Sequence, residues 1–198
     1  MPSMSTAEIY AELAPHLRRL TVDDYYGMLD AGLLQEDDRV ELLRGVIVEM
    51  SPTNPPHHLV VEWLTMWVAR RVAEGLHVRV QSPWSAAIDS EPEPDLVVAP
   101  AGWHRRPASR RSPHEAALMV EVADSSLRRD LLVKAAIYAE AGVADYWVVD
   151  VIAEQVVVHR DPVDGVYQSV QRVGSPEVLI GAGVDVPLGD LFSFVRGE

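Results

Sequence analysis

Apolar residues recur at helical and at alternating spacings along the chain, and the first such pattern predicts a helix near the N-terminus. Residues 1–20 are predicted to form an N-terminal arm or helix ahead of the main domain. Thr21 has the side chain of a helix N-cap, and Asp23 and Asp24 would favour the positive end of the helix that follows. That helix is predicted to end near Gly32, because glycine commonly terminates helices.

Short apolar runs between turn residues predict the strands of a sheet. The runs at 41–43 and 46–50 flank a tight turn at Arg44-Gly45 and predict a hairpin. Ser51 to Pro56 is a proline-rich break. Further strands are predicted at 78–80, 85–88, 96–99, 117–122, 146–149, 155–159 and 167–173, and a short last strand and turn close the chain.

Two longer stretches have helical periodicity. The first runs from His57 to about Val72, and the second from Leu127 to Ala141 ends at Gly142. The chain contains no internal repeat and no sign of a second core. The pattern therefore predicts one mixed α/β domain over residues 21–198.

The composition is that of a soluble globular protein, with 48% hydrophobic and 24% charged residues among 198. No apolar run approaches the roughly 20 residues needed to cross a bilayer, and the N-terminus lacks the features of a secretory signal. The absence of cysteine excludes disulfides and thiolate metal sites. We therefore expect a cytoplasmic protein without a membrane partner.

The formal net charge of −13 disfavours tight, sequence-independent binding of DNA unless a local basic patch or a bound metal reverses it. One candidate patch is the loop between the predicted strands 96–99 and 117–122, because both its ends should fall near the acidic residues considered next. A solvated loop without a binding role is the alternative interpretation. The arginines proposed as phosphate contacts are Arg105, Arg106, Arg110 and Arg111.

Two carboxylates occur where apolar residues are expected. Asp95 directly precedes the strand at 96–99, and Glu121 lies inside the apolar run at 117–122. A buried carboxylate is costly unless it is paired or binds a metal, and carboxylate oxygens are the ligands that Mg²⁺ or Mn²⁺ prefers. These two residues therefore suit metal-assisted phosphodiester cleavage.

A lysine follows on the predicted helix that returns over the sheet. Asp130, Lys134 and Tyr138 recur at i, i+4 and i+8, so one helical stripe carries all three. An ammonium group there could orient or activate the attacking water and stabilise charge on the phosphoryl oxygens. The alternative is an ordinary salt bridge between Asp130 and Lys134 on the helix surface.

In combination these motifs resemble the Uma-type restriction endonuclease family, within the PD-(D/E)xK nuclease superfamily. The resemblance spans about residues 20–170 and implies a restriction-endonuclease-like core, a mixed central β-sheet flanked by α-helices, with a divalent metal at the edge of the sheet. It rests on Glu41 to Pro52, His58, Glu93-Pro94-Asp95-Leu96, Val120-Glu121-Val122, Asp130, Lys134, Tyr138, Gly142-Val143 and Asp145 to Asp150.

The resemblance also implies roles. Asp95 and Glu121 would be metal ligands, Lys134 the catalytic cation, and Glu41 an additional acid that reaches the metal directly or through water. The superfamily pattern places a lysine two positions after the second acid, where this chain has Ala123. In the Uma-type branch the lysine is relocated to the following helix, and Lys134 matches that position.

Two further residues are accessory candidates, His58 and Tyr138. His58 matches the family's histidine and could face the cleft, or it could be a helix-start residue bonded to backbone. His57 and His58 are adjacent on a predicted helix and cannot readily bind one ion. With no His-Glu-x-x-His present, the sequence argues against a zinc hydrolase.

The sequence thus predicts a Mg²⁺- or Mn²⁺-dependent endodeoxyribonuclease with DNA as substrate, in which Lys134 polarises or deprotonates the attacking water. One alternative is a catalytically silent nuclease-fold module that binds DNA or protein, which the net charge and the relocated lysine favour. A second is a metal-dependent hydrolase of another phosphate ester. The strand at 155–159 and its neighbour suggest an exposed sheet edge and, through it, a homodimer.

Overall fold

A computed structural model describes residues 4–35, 37–106 and 112–198. Its helices are α1 (Thr6–Leu13), α2 (Val22–Asp30), α3 (Pro55–Ala69), α4 (Leu127–Arg129), α5 (Ala135–Glu140) and α6 (Leu188–Arg196). A π-helical turn, Asp130–Lys134, joins α4 to α5 in one continuous helical run. The strands are β1 (Val40–Leu43), β2 (Val46–Glu49), β3 (Leu76–Val80), β4 (Leu96–Pro100), β5 (Leu118–Ala123), β6 (Asp145–Asp150), β7 (Gln155–Val163), β8 (Val166–Gly174), β9 (Val178–Gly181) and β10 (Val184–Pro187).

Six strands form the central sheet in the order β3-β4-β5-β6-β7-β8. Only β5 and β6 pair in parallel, since the helical run from α4 to α5 connects them, and the other neighbours are antiparallel. Helices cover both faces of the sheet. This architecture confirms the predicted mixed α/β fold class.

Alternation along β5 sends its side chains into two separate cores. Val120 and Val122 pack with α3 and α6 on one face, whereas Met119 packs with α5 on the other. Glu121 shares the face of Met119 because side chains two residues apart point the same way. The sheet therefore directs the Glu121 carboxylate towards the helical run that carries Lys134.

The β1–β2 hairpin lies outside the central sheet and positions Glu41. Its two-residue turn at Arg44 and Gly45 has positive φ at both residues, 54° and 72°, as a type I′ turn requires. Leu42 accepts a hydrogen bond from the Glu91 backbone N–H at 2.8 Å, which fastens the hairpin to the segment leading to Asp95.

The predicted strand at 85–88 is wrong. The chain turns there instead, with only an isolated bridge between Ala87 and Ser90, and Ile88 is 79% exposed. The segment is anchored by Trp84, which is fully buried and stacks on Trp103 with ring centroids 3.8 Å apart. A buried indole thus holds this loop in place without a partner strand.

The prediction for the C-terminus is incomplete, because a helix follows the last hairpin. β9 and β10 pair with each other, and α6 then packs against α3. Leu188, Leu191 and Phe192 supply the buried stripe of α6 at i, i+3 and i+4 spacing. That spacing was the signal for a helix.

The sequence predicts a dimer contact at an exposed edge of the sheet. β8 is an edge strand, whereas β7, which contains residues 155–159, lies between β6 and β8. The proposed dimer contact at this edge therefore applies to β8 alone and stays a prediction.

Among the described helices, none has the length and apolar character needed to cross a membrane.

Candidate active site

Asp95 directly precedes β4 and lies beside the end of β5. The antiparallel register pairs Leu96 with Val120, so the carboxylate reaches the Val122 backbone, whose N–H donates to Oδ2 at 2.8 Å. Oδ1 lies 3.2 Å from His57 Nε2 and accepts a hydrogen bond of 3.3 Å from Gln81 Nε2. Each oxygen of Asp95 is therefore oriented by a neighbouring donor.

Glu121 is 3% exposed and receives two hydrogen bonds on a single oxygen. Tyr138 Oη donates to Oε1 at 2.8 Å, and Lys134 Nζ donates to the same atom at 3.1 Å. Burial raises the pKa of Glu121 well above its ordinary value; the nearby Asp130 also raises it, while Lys134 opposes the shift. A positive charge beside this carboxylate therefore favours its ionised form.

Lys134 is a buried ammonium group surrounded by carboxylates. Its Nζ lies 2.9 Å from Glu41 Oε2 and 3.1 Å from Glu121 Oε1, whereas Asp130 Oδ1 is 4.0 Å away. Burial lowers the pKa of Lys134, but the neighbouring carboxylates outweigh burial and raise it above its ordinary value. The lysine is consequently protonated at neutral pH, and its main partners are Glu41 and Glu121 rather than Asp130.

Lys134 is also the only lysine in the chain, since every other member of the 17 Lys and Arg residues is an arginine. Lysine and arginine are not interchangeable where space is limited, because an ammonium is compact and a guanidinium is a wide planar fork. The single exception to the arginine preference of this chain thus lies at the centre of the acidic cluster.

The π-helical turn shapes the helical stripe that carries Lys134. Asp130, Lys134 and Tyr138 are all buried, while Leu132 and Val133 within the turn are 58% and 39% exposed. Isolated π turns inside α-helices occur frequently at functional sites. The predicted inward stripe is therefore present, although the helix that carries it is not regular.

Glu41 is 1% exposed and enters the cluster from β1. Its Oε2 accepts the bond from Lys134 and one of 3.3 Å from the Glu93 backbone N–H. Its Oε1 has no hydrogen-bond partner among the described residues, and neither has the buried Oδ1 of Asp130. Buried carboxylate oxygens without donors are unusual, so the polar network of the protein alone is incomplete here.

These acids line one narrow cleft, with a cavity volume of about 50 Å³. That space holds a small ion with a few waters but not a nucleotide. Arg39 and Arg129 also line it. The structure thus brings all four predicted catalytic residues together: Glu41, Asp95, Glu121 and Lys134.

The accessory histidine is placed differently from the expectation. His58 is exposed and does not line the cleft, whereas His57 is 6% exposed and lies beside Asp95. The reason is that His57 shares the buried face of α3 with Val60, Val61 and Leu64, at i, i+3, i+4 and i+7 spacing. The helix also begins at Pro55, two residues earlier than predicted, with the Asn54 side chain accepting the His57 backbone N–H. Asparagine followed by two prolines was the missed signal for this helix start. Gln81, the other partner of Asp95, had no sequence signal.

We call the segment between β4 and β5, which contains Arg105, Arg106, Arg110 and Arg111, the arginine loop. Its two ends lie away from the cleft. β4 carries the chain from Asp95 to Pro100, roughly 15 Å at the rise of a strand, and β5 returns from Leu118. Both ends of the loop are therefore at the opposite end of the sheet, contrary to expectation. Arg105 is exposed there, and Arg106 binds Glu115 at 2.8 Å. Arg110 and Arg111 fall outside the described residues.

Comparison with protein families gives a match over residues 22–186 to the model Uma2, described as "Putative restriction endonuclease". The chain belongs to the Uma2 family. Membership supports a nuclease-like function for this Uma2 protein. No curated protein matches the chain.

A solved structure resembles this Uma2 protein along most of its length. It is described as a "putative nuclease belonging to DUF820" from Anabaena variabilis ATCC 29413. The TM-score is 0.67 at 16% identity, covering 89% of this chain and 99% of that one. At this identity the likeness establishes the fold alone.

Nucleases with this fold generally use divalent metals, so the donor set of the Uma2 cleft must be compared with that requirement. Within residues 4–35, 37–106 and 112–198, no three His, Cys, Asp or Glu side chains are arranged to hold a metal ion. Mg²⁺, however, is commonly bound through one or two carboxylates, with waters and substrate phosphate completing its shell. Asp95 and Glu121, in a cleft where buried acids outnumber buried cations, fit an ion bound in this way.

Proposed function

We propose that this protein is a Mg²⁺- or Mn²⁺-dependent endodeoxyribonuclease. The observation that carries the proposal is the position of Lys134, whose buried Nζ bridges Glu41 and Glu121 in the cleft that also contains Asp95. A structural salt bridge would not require a third acid at its side. Two acids at neighbouring strands, with a cation beside them, suit a divalent ion that assists phosphodiester hydrolysis.

Asp95 and Glu121 would hold the ion between the ends of β4 and β5. The bound ion would supply positive charge that stabilises the phosphoryl oxygens as negative charge develops on them. The Val122 N–H keeps the Asp95 carboxylate oriented, and Tyr138 keeps that of Glu121 oriented. Oriented ligands matter because a misplacement of about 1 Å can cost roughly 100-fold in rate.

Lys134 would act as a positive charge and hydrogen-bond donor. The carboxylates around it raise its pKa and so favour the protonated ammonium. Its role is to orient the attacking water and to stabilise the negative charge that develops. Glu41, whose Oε2 lies 2.9 Å from Nζ, would hold the ammonium in place together with Glu121.

The reaction would be hydrolysis of a DNA phosphodiester. The oxygen of water bonds to phosphorus, one P–O ester bond breaks, the water proton passes to solvent, and the departing alkoxide takes up a proton. Family membership favours DNA as the substrate, and the narrow cleft admits a phosphate group only at its mouth.

A plasmid-cleavage assay tests the proposal. The wild-type protein should cut with Mg²⁺ or Mn²⁺ and not with EDTA, and Asp95→Asn should abolish cutting. Asp164→Asn is the matched control: Asp164 is exposed in the β7–β8 turn with φ of 49°, a conformation that asparagine tolerates. Cleavage that persists in EDTA or in Asp95→Asn would overturn the proposal.

The two alternatives give different results in the same experiment. A silent nuclease-fold module would bind Mn²⁺ or DNA without cutting plasmid or single-stranded DNA. A hydrolase of another phosphate ester would release product from a small phosphodiester while leaving DNA intact. Either result would replace the nuclease assignment.

A further inference from the structure

A second depression opens beside the acidic cleft, with a cavity volume of about 410 Å³. We call it the serine–arginine groove. Four of its residues also line the cleft, so the two spaces are continuous. Its polar residues are Ser51, Ser125, Ser126, Arg128 and Arg129.

The two arginines of the groove differ in how they are held. Arg129 is fixed by bonds from Nη1 to the Glu49 carbonyl at 2.9 Å and from Nη2 to Ser51 Oγ at 3.1 Å. Its buried Nε has no hydrogen-bond partner among the described residues. Arg128 is exposed, and no described carboxylate forms an ion pair with it. One guanidinium is thus positioned, and the other is available to a ligand.

Hydroxyl and guanidinium groups are the usual donors to nucleic-acid phosphates. The remaining lining residues, Leu132 and Val133, are apolar and exposed at the rim, where they could contact a deoxyribose. The groove therefore presents donors for a phosphate and an apolar wall for the adjoining sugar. This combination matches the repeating unit of a DNA strand.

We propose that the serine–arginine groove binds a DNA backbone phosphate adjacent to the one that is cleaved. The inference rests on the proposed function, because it takes the cleft as the site of cleavage. A net charge of −13 and the acids of the cleft would repel DNA, so a backbone contact beside the cleft must offset that repulsion. The two ends of the arginine loop lie at the far end of the sheet, away from the cleft.

The test measures binding rather than cleavage. A fluorescein-labelled duplex is titrated with protein across a series of salt concentrations, once in EDTA and once with Ca²⁺, using fluorescence anisotropy. Arg128→Ser should weaken binding and reduce the slope of log affinity against log salt by about 0.9, the value for one lost phosphate contact. Arg105→Ser is the matched control, because it removes the same charge from an exposed arginine at the opposite end of the sheet.

Three outcomes would overturn the groove assignment: no effect of Arg128→Ser, equal effects of the two substitutions, or no measurable duplex binding in either condition. An equal effect would mean that net charge alone sets the affinity. The result is distinguishable from a failure of the nuclease proposal. If Arg128→Ser weakens binding, Arg105→Ser does not, and no metal supports cleavage, then the groove proposal is supported and the nuclease proposal is wrong.

Discussion

Lys134 Nζ lies 3.1 Å from Glu121 Oε1, although the two residues are thirteen positions apart in the sequence and lie on different elements, a π-helical turn and β5. The superfamily pattern would bring a lysine to this point from position 123 on the same strand. Here Ala123 is fully buried in the core between the sheet and α5, on the same face as Glu121. The helix crossing that face supplies the ammonium instead, so the charge is retained while its place in the sequence changes.

Two substitutions of Lys134 test separately whether the positive charge or the shape of the side chain matters. We expect Lys134→Arg to lower kcat by about 10²- to 10³-fold, although the positive charge remains, because a guanidinium cannot fit between Glu41 and Glu121 in the same geometry. Lys134→Met should also destabilise the fold by about 3 to 5 kcal/mol, since it leaves buried carboxylates without their cation. Steady-state cleavage and urea unfolding measure the two effects.

Arg196→Lys is the control for this exchange of cations, because Arg196 forms exposed ion pairs with Glu154 and Glu198. Arg196→Lys should change neither kcat nor the free energy of unfolding measurably. Wild-type activity in Lys134→Arg would show that charge alone suffices at this position.

Neutralising Glu121 and Glu41 should have different consequences. Glu121→Gln removes a proposed ligand and should weaken Mn²⁺ binding at least tenfold, as measured by isothermal titration calorimetry. Glu41 contacts Lys134 and the Glu93 N–H, so Glu41→Gln should lower kcat while changing Mn²⁺ affinity less. Equal losses of Mn²⁺ affinity in the two variants would mean that Glu41 is itself a ligand.

The turn that precedes β2 should tolerate no side chain at Gly45. A Cβ there would lie 2.6 Å from Arg19 Cβ and 2.9 Å from Leu20 backbone atoms, with φ at +72°. We expect Gly45→Ala to cost more than the roughly 1 to 2 kcal/mol of the left-handed conformation alone. Gly32→Ala isolates that conformational cost, because Gly32 has φ of +69° and open space around it. Urea unfolding compares the two, and equal losses would contradict the predicted clash.

The buried His159 should make the protein less stable in acid. Burial lowers the pKa of His159 below its ordinary value of 6.5, so the unfolded chain binds a proton that the folded protein resists. The free energy of unfolding is therefore unaffected by this histidine above pH 6.5, where the ring is neutral in both states. It decreases as pH falls from 6.5 towards the lowered pKa of the folded state. Its ring lies among Tyr146, Tyr167 and the Arg172 charge, away from the cleft.

His159→Phe keeps an aromatic ring at this position and removes the titration. The unfolding free energy of the wild type minus that of the variant should fall as pH is lowered through 6.5, because only the wild type loses stability through this titration. Urea unfolding across that pH range measures the difference. A difference that does not vary with pH would show that His159 titrates alike in both states.

Elements whose signal is local were predictable. Thr21 and Asp24 form a reciprocal capping box, and the Arg44-Gly45 turn has the backbone its residues favour. The segment at 85–88 was misread because packing decided it: the residues are strand-like, but no partner strand is present. The histidine beside Asp95 was misread although its signal is local, since His57 rather than His58 lies at the spacing of the buried face of α3.

The sequence by itself determined the pieces of the candidate site, because a carboxylate within a buried strand and a lysine on a helical stripe are readable from spacing alone. Only the tertiary structure decided how they meet. The register of β4 on β5 places Asp95 beside Val122, and the π-helical turn directs Lys134 to Glu121 and Glu41. The arginine loop begins and ends at the far end of the sheet, because β4 carries the chain away from Asp95 over the length of that strand. Periodicity along a chain specifies which way a side chain points, whereas register and helix packing specify what it touches.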